Sequence, residues 1–140
     1  MRVTFRLDPR LAADTHPIGD LPLSRLLLMD DARFPWLVLV PRIAGARELI
    51  DLDDGDQRAL LAEIAAVGRA FELLLKPDKL NIAALGNVVA QLHVHMIARY
   101  TTDAAWPQPV WGRGERAAYA VAARQARIEA LRETLKGILG

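Results

Sequence analysis

The chain has 140 residues, of which 52% are hydrophobic and 25% charged, with a formal net charge of +1. That is the profile of one globular domain, long enough to bury a real core and without bulk attraction for nucleic acid or an anionic membrane. There is no cysteine, which excludes disulfides, thiolate catalysis and cysteine-ligated zinc.

Met1 to Leu7 alternates in polarity and is expected as an edge strand. Up to Pro9 there is no apolar stretch of the kind a secretion signal carries, and no later apolar run is long enough to cross a bilayer. A cytoplasmic protein is the expectation. Asp8 to Pro22, with Asp14, Gly19 and Asp20 between its prolines, reads as a loop that can hold a helical turn. Leu23 to Met29 and Trp36 to Val40 are short apolar runs separated by Asp30, Asp31 and Pro35, a pattern that predicts a β-hairpin. Ala44 to Asp53 is a connection broken by Gly45.

Asp54 offers an N-cap for a long helix from about Gly55 to Leu75, ended by Pro77. Its Leu60, Leu61, Ile64, Val67, Phe71, Leu74 and Leu75 recur at helical spacing, as a face that covers a sheet must. A strand follows over Leu80 to Leu85, a turn at Gly86-Asn87, and a further strand over Val88 to Tyr100. Thr101 to Gly114 is a loop carrying Trp106, Pro107, Pro109 and Trp111. A last helix is expected from Glu115 to about Gly137, with Ile128, Leu131, Leu135 and Ile138 as its apolar stripe. The order of elements predicts an α+β fold, an antiparallel sheet backed by helices.

Chemistry is concentrated in Gln91-Leu92-His93-Val94-His95-Met96-Ile97-Ala98-Arg99. On a strand, Leu92, Val94 and Met96 share the core face, while Gln91, His93, His95 and Arg99 share the other with Ile97. The result is a titratable row on a rigid element. Neutral imidazole is a nucleophile and its charged form stabilises phosphate oxygens. Arg99 could add a forked donor, and backbone N–H groups at Gly86-Asn87 could reach the same anion.

This stretch resembles the His-x-His-x-His-x-x motif of the histidine-triad (HIT) family of nucleotide hydrolases and transferases, with Gln91 in the first histidine's place. The Pro41-Arg42 step after the hairpin, the Leu49 to Leu52 segment before the long helix, Asn81 and the Gly86-Asn87 turn are similar to the family too. The likeness covers roughly residues 23–100 of one domain spanning 1–140, with the aromatic loop and last helix in 101–140. It implies a five-stranded antiparallel sheet packed with a long central helix and a C-terminal helix, in a homodimer. It also implies that His93 attacks the α-phosphorus of a nucleotide and forms a covalent nucleotidyl intermediate, which water or another acceptor resolves. His95 would contact the phosphate and help protonate the leaving group. The substrates implied are dinucleoside polyphosphates, nucleotide phosphoramidates or nucleotide sugars, with no cofactor required, although a divalent metal can accompany the nucleotide.

The sequence departs from the family in two ways. Gln91 can hold a ligand or orient a neighbour but cannot titrate, and Pro41-Arg42-Ile43-Ala44 lacks the histidine that many members carry there. Other readings therefore stand beside catalysis. One is a non-catalytic nucleotide-binding or sensor module. Another is a metal site built on His93 and His95, for which His16 is the only further histidine. Arg99 is read as a phosphate ligand or a solvated strand-end charge, and Asn87 as a ligand or a turn former. Asp30 would touch a ribose or simply serve the hairpin turn. Trp106 and Trp111 would pack, or stack on a base.

Overall fold

The structure is a computed structural model that describes residues 4–140. Five antiparallel strands form one sheet in the order β1-β2-β3-β5-β4. In chain order the elements are α1 (Pro9–Asp14), β1 (Thr15–Asp20), β2 (Ser24–Met29), β3 (Trp36–Pro41), α2 (Asp54–Leu75), β4 (Lys79–Ala83), β5 (Val94–Arg99) and α3 (Val121–Thr134). A short 3-10 turn over Leu49–Asp51 precedes α2. The expected α+β fold, hairpin and two helices are all present. No helix among the described residues is long and apolar enough to cross a membrane.

The middle of the sheet is covered on both faces, which is why β2 and β3 read as near-continuous apolar runs rather than alternating ones. On one face, Leu26, Leu28, Leu37, Leu39, Val94 and Met96 pack with Val67 and Phe71 of α2 and Leu131 of α3. On the other, Leu27, Trp36, Val38, Val40 and Ile97 pack with Leu11 of α1, Phe34 and the loop residues Ala105 and Val110. The second face carries the histidines.

Several boundaries differ from expectation, each for a physical reason. Residues 1–3 of the expected first strand lie outside the described residues, and Thr4 to Leu7 are not in a strand. The Arg6 carbonyl and Asp8 N–H bond to the side chain of Gln91 instead of a neighbouring backbone. One sheet edge is β1, inside the expected loop, where Pro17 is tolerated beside a register shift between Pro17 and Gly19. The cap of α2 is Asp53 rather than Asp54, with its carboxylate accepting the Asp56 N–H at 2.8 Å. β5 begins at Val94, not Val88, because residues 84–93 leave the ladder and border a cleft. α3 begins at Val121, not Glu115. The backbone before it is drawn onto the hairpin, where the Ala117 carbonyl accepts the Ala32 N–H and the Tyr119 N–H donates to Asp30.

Candidate active site

His93 lies immediately before β5 and His95 within it, and both are buried, at 6% and 5% exposure. Their rings meet edge to face with centroids 4.8 Å apart. Alternation along the strand keeps both off the helix-covered face, where Leu92, Val94 and Met96 pack.

Hydrogen bonding assigns the two imidazoles opposite tautomers. His93 Nδ1 lies 2.6 Å from the backbone carbonyl oxygen of Gln91. A carbonyl can only accept, so Nδ1 carries the proton, and Nε2 of the neutral ring holds the lone pair. His95 Nδ1 lies 3.0 Å from Trp36 Nε1. An indole can only donate, so His95 Nδ1 accepts and its proton sits on Nε2. Burial, reinforced by the charge of His93, lowers the His95 pKa from 6.5 to about 4. His95 is therefore a neutral N–H donor near neutrality, not an imidazolium.

His93 forms part of the wall of a cleft of about 310 Å³. Leu49, Ile50, Leu85 and Leu92 supply apolar walls, Gly86 lies on the wall with them, and the adjacent Arg47 and Glu48 put one cation and one carboxylate there. Gly86 takes a left-handed φ of +76°, which favours glycine and turns the chain around the cleft. Outside that lining, Trp111 packs on the second histidine, its ring 5.1 Å from that of His95 and edge-on to Trp36.

Other expected site residues are engaged differently. Arg99 is 1% exposed, and its guanidinium donates twice to Asp103, at 2.7 and 3.0 Å, and once to Asn81 Oδ1 at 2.9 Å. Its ring neighbours are Phe34 and Trp106. The expectation of a phosphate ligand is corrected here, and the alternative of a solvated strand-end charge with it, because a guanidinium buried to 1% exposure and paired with a buried carboxylate is closed to solvent and to an external anion. That pairing holds the Asp103 carboxyl well below the usual carboxylate range. Asp30 likewise turns to protein partners, accepting from the Tyr119 N–H and lying 3.2 Å from His16 Nε2, and these contacts lower its pKa. His16, on β1, is thereby tied to Asp30 rather than to the other histidines. Asn87 is exposed at the bend beyond Gly86. Gln91 borders the cleft, but its side chain bonds to residues 6 and 8. Among the described residues no group of three histidine or acidic side chains is placed to hold a metal ion.

The sequence reading missed Trp36 and Arg47. Trp36 sits in an apolar run that reads as core, and the signal for it is only that a buried indole N–H must find an acceptor. Nothing in the sequence marks Arg47, which reaches the cleft through the loop ahead of the 3-10 turn.

Residues 10–102 match the HIT domain family model. A histidine triad protein from Bradyrhizobium japonicum is 54% identical, with 94% of this chain and 98% of that one covered and a TM-score of 0.93. One from Marinobacter aquaeolei is 43% identical, covering 97% and 99%, at a TM-score of 0.94. One from Sinorhizobium meliloti is 42% identical, covering 94% and 98%, at a TM-score of 0.92. No curated protein matches the chain. The paired histidines, the sheet that carries them and these likenesses agree: the chain belongs to the histidine triad family.

Proposed function

We propose that the protein is a nucleotidyl hydrolase or transferase that works through a covalent nucleotidyl-His93 intermediate. The observation that carries this reading is the opposed tautomer pair: a lone pair on His93 Nε2 beside an N–H on His95 Nε2. Nε2 of His93 attacks the α-phosphorus, a P–N bond forms, and the bond from phosphorus to the leaving group breaks. The leaving group takes the electron pair and draws its proton from solvent, while the His95 Nε2–H hydrogen-bonds to it or to a phosphate oxygen. Nucleotidyl transfer leaves His93 cationic, and the Gln91 carbonyl accepts from its Nδ1–H and stabilises that charge. Water or another acceptor then attacks phosphorus, the P–N bond breaks, and the nucleotide leaves. Arg47 on the cleft wall supplies positive charge for the phosphates. The reading needs no metal for the chemistry and includes a homodimer, which a monomer mass by light scattering at assay concentration would exclude.

The test is to incubate the protein with adenosine 5′-phosphoramidate or a diadenosine polyphosphate, quench in base, and weigh the intact protein beside His93→Ala. An adenylate-sized mass gain in the wild type alone, with AMP released, supports the reading. Turnover retained in His93→Ala refutes it. A second reading, a nucleotide-binding module without turnover, is favoured by one observation: position 91 holds a non-titrating amide already bonded to protein. Tight nucleotide binding by calorimetry with no adduct and no AMP would select it.

A further inference from the structure

We propose that the Gln91 side chain is a latch that fastens the N-terminal strap, residues 4–8, and through it positions His93. Gln91 Oε1 accepts the Asp8 N–H at 2.8 Å, and Gln91 Nε2 donates to the Arg6 carbonyl at 2.8 Å. These partners settle the amide orientation, since the backbone N–H can only donate and the carbonyl only accept. One primary amide thus takes the place of a neighbouring strand for the strap. Beside the latch, Arg10 Nη1 donates to the Val88 carbonyl at 3.2 Å. Phe5 and Leu7 pack against the cluster containing Trp36 and Ile97, and Arg25 lies over the Phe5 ring at 5.6 Å.

The latch leads directly to the nucleophile. The peptide plane between Gln91 and Leu92 has its carbonyl on His93 Nδ1 and its N–H on the Ala46 carbonyl at 2.9 Å. Residues 84–93 lie outside regular secondary structure, so no ladder holds this plane. Its N-terminal corner is the Gln91 Cα, and the latch ties that residue to the strap. Imidazole cannot substitute here. Its two nitrogens direct their bonds apart, whereas the amide oxygen and nitrogen sit on one carbon and bond side by side. Glutamine in the first position of the motif is therefore a built feature. Gln91 is a positioning residue, and its catalytic consequence rests on the reading of His93 as nucleophile.

Two kinds of variant separate the latch from simple loss of structure. Gln91→Met keeps the bulk and removes both bonds. Asp8→Pro removes the N–H donor at a residue whose φ of −56° already suits proline. Asp8→Ala is its control, since both lose the side-chain cap on the Arg10 N–H but alanine keeps the backbone donor. The first readout is the ¹⁵N signature of the His93 ring in the free protein. Wild type and Asp8→Ala should show a single Nδ1–H tautomer. Gln91→Met and Asp8→Pro should show averaging, with kcat for AMP release from adenosine 5′-phosphoramidate down about tenfold, as for a lost orienting hydrogen bond, and KM little changed. A wild-type His93 signature in both unlatched variants, folded by circular dichroism, overturns the proposal. If the wild type turns over no substrate, the proposed function fails, while the ring signature still decides the latch.

Discussion

His95 should make stability fall on mild acidification. In the folded protein its pKa is lowered from 6.5 to about 4, by burial first and the charge of His93 second. Between those two values the unfolded chain takes up a proton that the folded protein refuses, so stability rises with pH across that window. The stabilisation is whole above about pH 6.5 and is lost progressively as pH falls toward 4. At about 1.4 kcal/mol per unit, the gap amounts to about 3 kcal/mol. The lowered carboxyls of Asp20, Asp30, Asp31, Asp51 and Asp103 start from 3.8, so their contributions are lost only at lower pH. The assay is urea unfolding at about pH 7 and about pH 4.5, for wild type and for His95→Asn. Asparagine Oδ1 can accept the Trp36 N–H where Nδ1 does, but it does not titrate. Wild type should lose about 2–3 kcal/mol between the two conditions, and the variant clearly less. Equal losses would show that His95 is not the group refusing the proton.

Three further outcomes follow from the packing. Asp103→Ala leaves the Arg99 guanidinium buried without its carboxylate, and should cost about 3–5 kcal/mol by denaturant unfolding; a cost under about 1 kcal/mol would mean that the pair is solvated. Trp36→Phe removes the donor that assigns the His95 tautomer. It should slow nucleotide turnover about tenfold in steady-state kinetics, and unchanged kcat would take the tautomer out of the mechanism. Gly68 lies inside α2, and a Cβ there would meet Leu80 Cδ1 at 3.5 Å and Met96 Cε at 3.8 Å, ordinary contacts. Gly68→Ala should therefore raise stability by about 0.5–1 kcal/mol, read as a higher midpoint in thermal melting, and a lowered midpoint would show that α2 sits closer to the sheet than these distances imply.

The paired histidines were legible because strand alternation is a local property, and Leu92, Val94 and Met96 declare the covered face by their own chemistry. The hairpin, the long helix and its proline stop were legible for the same reason: apolar period and turn residues are written within a few positions of each other. The irregular run 84–93 was not, because Val88 and Val89 look like strand residues. Only the register of β4 against β5, ending at Ala83 opposite His95, shows where the ladder stops.

Partnerships between distant residues were beyond local reading. Arg99 on a strand with polar neighbours suggests an anion ligand, and Asp103 four residues later gives no hint that it will close over that guanidinium together with Asn81. Asp30 is claimed by Tyr119 and His16 across the hairpin. Gln91 appears in sequence as a missing histidine, yet its amide is bonded to residues more than 80 positions away. The amino-acid sequence by itself determined the β2–β3 hairpin, the long and last helices, which face of β5 is apolar and which residues carry the chemistry, since propensity, periodicity and side-chain type act over short range. The edge strand β1, read as a loop, was not among them. Tertiary structure alone decided the tautomer of each histidine and the partner of each charge. Those depend on which donor or acceptor the fold brings within about 3 Å, a condition with no signature along the chain.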